Sequence, residues 1–176
     1  MLPELTFQIM LELDIQSINN LCQTTQEMQR ICQNDYFWKL KFEKDGLKFK
    51  EHHNYILLYQ LEYIWRELNN QPLMGKWHQN YNRSISFNIP DLPLSVLLTI
   101  DPKNKVVGQF LTKTFYGYHR EIGISKNPFF GYVVFLRYSN NEYVIPRSYT
   151  KISNPTEVYN FIALLLMHNA PYKIVD

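Results

Sequence analysis

Few side chains in this sequence stand at spacings that would support catalysis. Its two cysteines are Cys22 and Cys32, and a thiol becomes a strong nucleophile only where a base or cation favours the thiolate. Both fall on the apolar positions of helical patterns, which predicts small core residues rather than partners of a histidine. Two thiols alone do not make a disulfide framework. The cysteines therefore indicate packing.

The histidines and acidic residues give an equally weak signal. His52 and His53 are adjacent, so on a helix their side chains would point about 100° apart, with no third metal ligand nearby in sequence. We interpret them as exposed helix residues. Asp91, Asp101 and Glu121 show no paired spacing. The sequence contains no glycine-rich phosphate loop, CxxC, HExxH or GxSxG, which predicts a protein that is not an enzyme and needs no metal or cofactor.

Composition predicts a folded, soluble chain. Of its 176 residues, 45% are apolar and 15% are aromatic, which suits one domain, or one domain with a small appended module. The longest apolar run, residues 161–167, is too short to cross a bilayer. Glu4 and Glu12 interrupt the first apolar segment, unlike a signal peptide. We expect no membrane association and a reducing compartment, cytoplasmic or nuclear.

Charge divides the chain into two parts. Residues 1–70 contain seven Lys/Arg and ten Asp/Glu, whereas residues 71–176 contain eleven and six. The net charges are therefore −3 and +5. This asymmetry predicts an acidic front and a basic back with different partners.

The front of the chain has the periodicity of short helices. The first runs from Pro3 to Leu13, and the second includes Ile18 and Leu21. Thr24 and Glu27 have the spacing of a capping box for the third. The segment NDYFWKLKFEKDG predicts a fourth helix, and a longer helix follows over residues 52–69.

The first helix carries two apolar stripes. One recurs every four residues and contains Leu5, Ile9 and Leu13. The other has i, i+3, i+4 spacing and contains Phe7, Met10 and Leu11. Three short helices cannot bury both stripes among themselves. We predict that the first stripe packs inside the helical module and that the second binds another surface; the alternative is that the second packs on the 52–69 helix or on the sheet.

The back of the chain changes to strand periodicity. Strands are predicted in the segments RSISFNI, LSVLLTI, VVGQFLTKTF, YHREIGIS, GYVVFLRY and EYVIPRSY. A final helix begins at Asn154, with Pro155 in its first turn and Glu157 three residues after the cap. Its inward residues are Val158, Phe161, Ile162 and Leu165. The predicted fold class is α+β: N-terminal helices, then an antiparallel sheet of about six strands packed with a C-terminal helix.

Basic and aromatic residues alternate in two places. KLKFEKDGLKFK is best interpreted as a solvated helix face and loop, because acidic residues dilute its charge. The predicted sheet carries a second set, which contains Lys105, Lys113, Arg120, Arg137, Arg147, Lys151, Tyr116, Tyr118, Tyr132, Tyr138 and Tyr149. These would bind nucleic acid only if the tyrosines lay exposed on one face. We favour core and rim positions for them.

The first forty-odd residues resemble an F-box. The family pattern begins with Leu-Pro and an acidic residue, which matches Leu2, Pro3 and Glu4. Its next positions match Ile9, Met10, Leu13 and Asp14, then Ile18 or Leu21, then Trp38 and Leu40 with one residue less between them. Thr24, Thr25 and Met28 depart from the pattern. The ending DYFWKLKFEKDG and the Asn-, Ile-, Lys- and Tyr-rich style resemble F-box-type proteins of large DNA viruses that infect amoebae.

The resemblance implies an adaptor. Residues 1–46 would be an F-box-like module that binds a Skp-type subunit of a cullin–RING ubiquitin ligase through residues 2–45. Residues 47–80 would be a linker helix and connection, and residues 81–176 would recruit a protein substrate. The implied docking residues are Leu2, Pro3, Glu4, Phe7, Met10, Leu11, Leu13, Ile18, Leu21 and Trp38. The alternatives are an assembly protein that kept the fold without a ligase role, and a nucleic-acid binder.

Overall fold

The computed structural model describes residues 3–70, 84–88, 94–99, 119–127, 131–139 and 144–175. The chain divides into two compact units, Met1–Tyr63 and Ile64–Asp176. We call them the helical unit and the sheet unit. The first half of the predicted linker helix therefore belongs to the helical unit. The α+β class predicted from the sequence is confirmed.

Five helices begin in the helical unit. They are α1 Pro3–Glu12, α2 Ile15–Leu21, α3 Gln26–Cys32, α4 Asp35–Lys44 and α5 Tyr55–Asn69, the last of which continues into the sheet unit. Polar side chains begin four of them: Asp14 accepts from the Ser17 amide, Thr25 from the Met28 amide, Asn34 from the amides of Tyr36 and Phe37, and Asn54 from the Leu57 amide. These caps satisfy amides that have no partner within the helix.

Two expectations about the short helices are wrong. The residue that caps α3 is Thr25 and not Thr24, because the Thr24 hydroxyl donates to the Leu21 carbonyl instead. Cys22 and Cys32 are not separate core residues. They form a disulfide with Cα atoms 5.9 Å apart, and each residue is only half-buried. The sequence spacing did not reveal that the turn between α2 and α3 brings them together.

Aromatic rings form the centre of the helical unit. Phe37, Trp38 and Phe42 on α4 are fully buried. Trp38 contacts Phe37 and Phe42 edge-on, with ring centroids 5.3 and 6.4 Å apart, and Phe42 contacts Tyr59 in the same way at 5.4 Å. Edge-to-face contacts at these distances are favourable beyond the area they bury. Helix α4 is therefore the central element of this unit.

A buried lysine ties α1 to α4. The Lys41 ammonium donates to the carbonyl oxygens of Leu11 (3.0 Å) and Leu13 (2.7 Å), which lie at the C-terminal end of α1. It also pairs with Asp45 at 2.9 Å, and that carboxylate accepts from the Tyr59 hydroxyl at 2.6 Å. Only 3% of Lys41 is exposed. The interpretation of this segment as a solvated face is therefore wrong for Lys41, because its charge satisfies carbonyls that α1 leaves unpaired.

The sheet unit contains a five-stranded antiparallel sheet. Its strands are β1 Ser84–Asn88, β2 His119–Asn127, β3 Gly131–Ser139, β4 Val144–Ile152 and β5 Tyr172–Val175, in the spatial order β4-β3-β2-β1-β5. The sequence did not predict β5, which pairs with β1 at the sheet edge. The predicted strand LSVLLTI is wrong: residues Leu94–Leu97 form the short helix α6. The predicted strand VVGQFLTKTF lies outside the described residues.

Helix α7, Pro155–Met167, supplies the core of this unit as predicted. Its N-cap Asn154 accepts from the Thr156 amide, and Val158, Phe161, Ile162 and Leu165 are all buried. The core residues of the central strands are Ile85, Phe87, Ile122 and Ile124, each with no exposed surface. Strand β1 is buried on both faces, because Ser84 and Ser86 are buried as well.

The polar face of the sheet is closely packed. Glu121, only 5% exposed, accepts from the Ser86 hydroxyl at 2.9 Å and pairs with the Lys173 ammonium at 3.1 Å. Glu121 thus lies on β2, the central strand of the sheet. A Cβ atom added at Gly123 would overlap the ring of Phe135 on the neighbouring strand. Glycine at this position therefore makes room for an aromatic ring.

The last turns of α5 belong to the sheet unit. Trp65 stacks on Tyr132 at 5.6 Å and meets Tyr159 edge-on at 5.4 Å. The Tyr132 hydroxyl donates to the Asn69 side chain at 2.7 Å, and burial raises the pKa of Tyr132. Among the described residues, no helix has the length and apolar character needed to cross a membrane.

Candidate docking surface

Two residues in each apolar stripe of α1 face in the direction opposite to the one predicted. Met10 and Leu11, predicted to face a partner, are 1% and 8% exposed. Leu5 and Ile9, predicted to pack inside the module, are 53% and 43% exposed. The assignment of the outward stripe is therefore wrong for these four residues. Some apolar residues of α1 do remain exposed on the surface of the helical unit, as predicted from the number of apolar residues in this helix.

The contacts of α4 explain the reversal. Phe7 meets the buried Phe37 edge-on at 5.3 Å and stacks with Tyr36 at 6.3 Å. An aromatic ring at position 7 gains more from these rings than Leu5 or Ile9 would gain in its place. The hydrogen bonds from Lys41 to α1 also fix the rotation of α1. Periodicity identified two stripes, but the aromatic residues of α4 determine which one is buried.

Three helices of the helical unit line an open groove of about 470 Å³. We call it the α1–α3–α4 groove. Its lining residues are Glu4, Phe7 and Gln8 from α1, Glu27, Arg30 and Ile31 from α3, and Tyr36 and Leu40 from α4. Its apolar lining residues Phe7, Ile31 and Leu40 are half-buried, whereas its polar lining residues are exposed. This arrangement suits an apolar anchor that enters from outside the unit.

Large apolar side chains are exposed on α1 and α4. Tyr36 of α4 lines the groove and is 62% exposed. Leu5 and Ile9 of α1 each follow a groove-lining residue by one position, so they point about 100° away from Glu4 and Gln8, on a different side of the helix. Large exposed apolar side chains on a helix are typical of a protein-binding surface.

The predicted docking residues fall into three groups. Leu2 lies outside the described residues, and no exposure is described for Pro3, which begins α1. Glu4 is exposed, while Phe7, Leu13 and Leu21 are half-buried. Met10, Leu11, Ile18 and Trp38 are buried within the helical unit. Only Glu4 and Phe7 of the ten line the groove.

Trp38 has a structural role in this unit. It has no exposed surface, and its indole N–H donates to the Cys32 carbonyl oxygen at 2.7 Å, at the end of α3. Ile18 is likewise fully buried. In this structure these two side chains support the surface rather than form it.

Two titratable groups in this unit are perturbed by their hydrogen bonds or burial. The Ser17 hydroxyl and amide donate to Asp14 at 2.7 and 2.9 Å and hold the pKa of that carboxyl below its usual value. Burial raises the pKa of Tyr55, and its hydrogen bond to Asp35 at 2.8 Å acts in the same direction. Both groups fix helix positions and neither lines the groove.

The other candidate sites do not gather functional groups. His52 and His53 precede α5 and stack on each other at 4.3 Å, so the prediction that they lie on a helix is wrong. Within the described parts of the chain, no group of three or more His, Cys, Asp or Glu residues could hold a metal ion. Asp91 and Asp101 lie outside the described residues.

The basic and aromatic set of the sheet is described only in part. Tyr132 is 5% exposed beneath Trp65, so it offers no free ring to a nucleotide base. Arg120 is half-buried and Lys151 is exposed. Lys105, Lys113, Tyr116 and Tyr118 lie outside the described residues, and no side-chain exposure is described for Arg137, Arg147, Tyr138 and Tyr149. Nucleic-acid binding stays a prediction.

Comparisons of the chain with protein-family models, curated proteins and solved structures give no match. The F-box resemblance and its implied partners therefore stay predictions. Sequence reasoning did not assign Arg30, Ile31, Tyr36 and Leu40 to one surface. The available signal was their spacing on α3 and α4, but that spacing does not indicate which helix faces meet.

Proposed function

We propose that this chain is a non-enzymatic adaptor. Its helical unit docks on a Skp-type subunit of a cullin–RING ubiquitin ligase, and its sheet unit recruits a protein substrate. The observation that carries the proposal is the exposed apolar pair Leu5 and Ile9 on α1, a helix that also lines the α1–α3–α4 groove. The resemblance of residues 1–46 to an F-box supplies the identity of the partner. Such a protein acts by raising the effective concentration of substrate near the ligase.

The construction of the helical unit supports this role. Its aromatic centre and the Lys41 network are formed by residues within the unit, so Leu5 and Ile9 are exposed without being needed for its core. Exposed leucine and isoleucine side chains gain free energy when a partner covers them. A helix that presents apolar anchors four residues apart suits a protein interface.

The proposal changes which residues a binding test should alter. Leu11 is buried, so its replacement by alanine would test folding rather than docking. The double variant Leu5→Ala, Ile9→Ala removes exposed anchors and leaves the core intact. The matched control is Met167→Ala, which removes a 63% exposed residue from the sheet unit.

Calorimetric titration of the full chain with a purified Skp-type subunit tests the proposal. If both anchors contribute as typical interface residues do, we expect the double variant to bind about tenfold or more weakly, with Met167→Ala unchanged. Absence of binding by the unmodified chain, or equal affinity of the double variant, would reject the proposal. Sedimentation of the chain without the subunit tests the alternative of an assembly protein with no ligase role. A homodimer that dissociates in the same double variant would favour that alternative.

A further inference from the structure

The disulfide between Cys22 and Cys32 is a feature that docking alone does not explain. Cys22 is the C-cap of α2, and Cys32 is the last residue of α3. The bond therefore ties the ends of two helices that adjoin in sequence. Each cysteine residue keeps part of its surface exposed.

Among the described residues, helix α3 has few other attachments. It has seven residues, none of them fully buried, and a helix of this length is not stable alone in water. Its anchors besides the disulfide are the half-buried Met28 and Ile31, and the hydrogen bond from Trp38 to the Cys32 carbonyl. Cross-linking the chain over ten residues removes many of the conformations open to the unfolded segment. The disulfide is therefore a major restraint on α3.

The same helix forms one wall of the groove. Glu27, Arg30 and Ile31 are all α3 residues that line it, opposite Phe7 of α1 and Leu40 of α4. Formation or reduction of the disulfide therefore affects the groove through α3, although neither cysteine lines it.

We propose that Cys22 and Cys32 form a reversible thiol–disulfide switch that sets whether α3, and with it one wall of the α1–α3–α4 groove, is ordered. In the oxidised chain α3 is fixed and the groove is complete. In the reduced chain α3 opens and the groove loses one wall. The consequence for adaptor binding rests on the proposed function, whereas the effect on α3 does not. If the chain works in a reducing compartment, as its sequence predicts, the bond is transient and regulatory rather than permanent.

The chemistry is a two-electron exchange with a small-molecule disulfide of the glutathione type. One cysteine thiolate attacks the reagent, forms a mixed disulfide and releases one thiol. The second thiolate then attacks the protein sulfur of that mixed disulfide, which forms the Cys22–Cys32 bond and releases the second thiol. The two cysteines lose two protons and two electrons, and the reagent is reduced to two thiols. Excess thiol reverses both steps.

Hydrogen exchange of the full chain, read by mass spectrometry, tests the effect on α3. The chain is compared after glutathione disulfide treatment and after dithiothreitol treatment, with α7 peptides as the internal reference. The entropy of a loop of this length predicts about hundredfold faster exchange of α3 amides on reduction, with no change in α7. The variant Cys22→Ser, Cys32→Ser should show fast α3 exchange under both conditions.

Other results would overturn the switch. If α3 exchanges equally in the oxidised and reduced chains, the bond does not order this helix. If both thiols remain open to alkylation after glutathione disulfide treatment, the bond does not form. The comparison within the unmodified chain holds even if the double serine variant fails to fold.

Titration with the Skp-type subunit separates this proposal from the proposed function. We expect weaker apparent affinity in dithiothreitol, in proportion to the fraction of chains with α3 open. Equal affinity in both states overturns the regulatory link and leaves the adaptor function standing. No binding in either state removes the adaptor function, while the exchange data still decide the switch.

Discussion

Helices α1 and α7 both contain many apolar residues, but their units use them differently. In α7, five apolar side chains are buried, and the strongly exposed one is Met167 at the last helical position. In α1, Leu5 and Ile9 stay exposed although Met10 and Leu11 are buried. Helix α7 packs on β3 and β4, a broad sheet surface. Helix α1 packs on α4, a narrower surface that leaves one apolar stripe uncovered. The difference teaches that the width of the partner element, and not apolar content, sets how much of a helix is covered.

The largest effect expected from this comparison follows removal of a covered side chain. Phe161→Ala in α7 should lower the free energy of unfolding of the sheet unit by about 3–5 kcal/mol, because the ring is 1% exposed and leaves a cavity. The matched variant Leu5→Ala should change the stability of the helical unit by no more than about 0.5 kcal/mol. Denaturant unfolding of each variant, monitored by hydrogen exchange in each unit, measures the two changes in stability. Comparable losses would mean that the exposed stripe of α1 is part of a core.

The next effect concerns the attachment of α1 to α4. Lys41→Met should destabilise the helical unit by about 3 kcal/mol, because it leaves two buried carbonyl oxygens and Asp45 without their cation. The control is Lys39→Met on the exposed face of the same helix. Denaturant unfolding monitored by hydrogen exchange of α1 and α4 amides measures the loss. Equal midpoints for the two variants would refute a structural role for Lys41.

A smaller effect tests the packing between neighbouring strands of the sheet unit. Gly123→Ala should cost about 1–3 kcal/mol, because its Cβ would overlap the Phe135 ring. Phe135→Leu should remove most of that penalty, so the two changes together should be less costly than the sum of the single changes. A double-mutant cycle from thermal unfolding measures this coupling. Additive losses would show that the cost of Gly123→Ala does not come from overlap with the Phe135 ring.

The smallest effect is a pH dependence of the helical unit. The native structure lowers the pKa of Asp14 through its bonds to Ser17. The ionised carboxylate therefore stabilises the fold above its unfolded pKa of about 3.9, and this contribution is lost as pH falls through the lowered native value. Asp14→Asn keeps a capping side chain and should reduce the fall in thermal midpoint that accompanies protonation of Asp14 at low pH. Thermal midpoints between about pH 6 and about pH 2 measure it, with Glu43→Gln as the control.

The sequence was sufficient for elements with a strong local signal. The cap at Asn154 and the inward residues of α7 were all predicted, because one buried face and a proline in the first turn leave little ambiguity. The strands β1, β2, β3 and β4 were predicted from the strand periodicity of their segments. The segment at Leu94–Leu97 was not, since a short apolar run fits a helix turn as well as a strand.

For the candidate surface, the sequence predicted only that α1 has more apolar residues than the short helices can bury. Periodicity showed that α1 has two stripes, but the choice between them depends on Phe37 and Lys41, which lie some thirty residues later. The disulfide was missed for a related reason. Cys22 and Cys32 meet through the path of the turn between α2 and α3, and residue types alone do not specify that path. Contacts between elements are therefore where the sequence reading failed.

The position of Lys41 in the chain has a consequence for synthesis on the ribosome. Its ammonium satisfies the carbonyl of Leu11, thirty residues earlier. At a translation rate of about 5–20 residues per second, α1 leaves the ribosome about 2–6 seconds before the residue that completes its end. During that interval its last carbonyls can bond only to water, and the helix is short enough to fray. The helical unit thus acquires its first helix late, when α4 has been made.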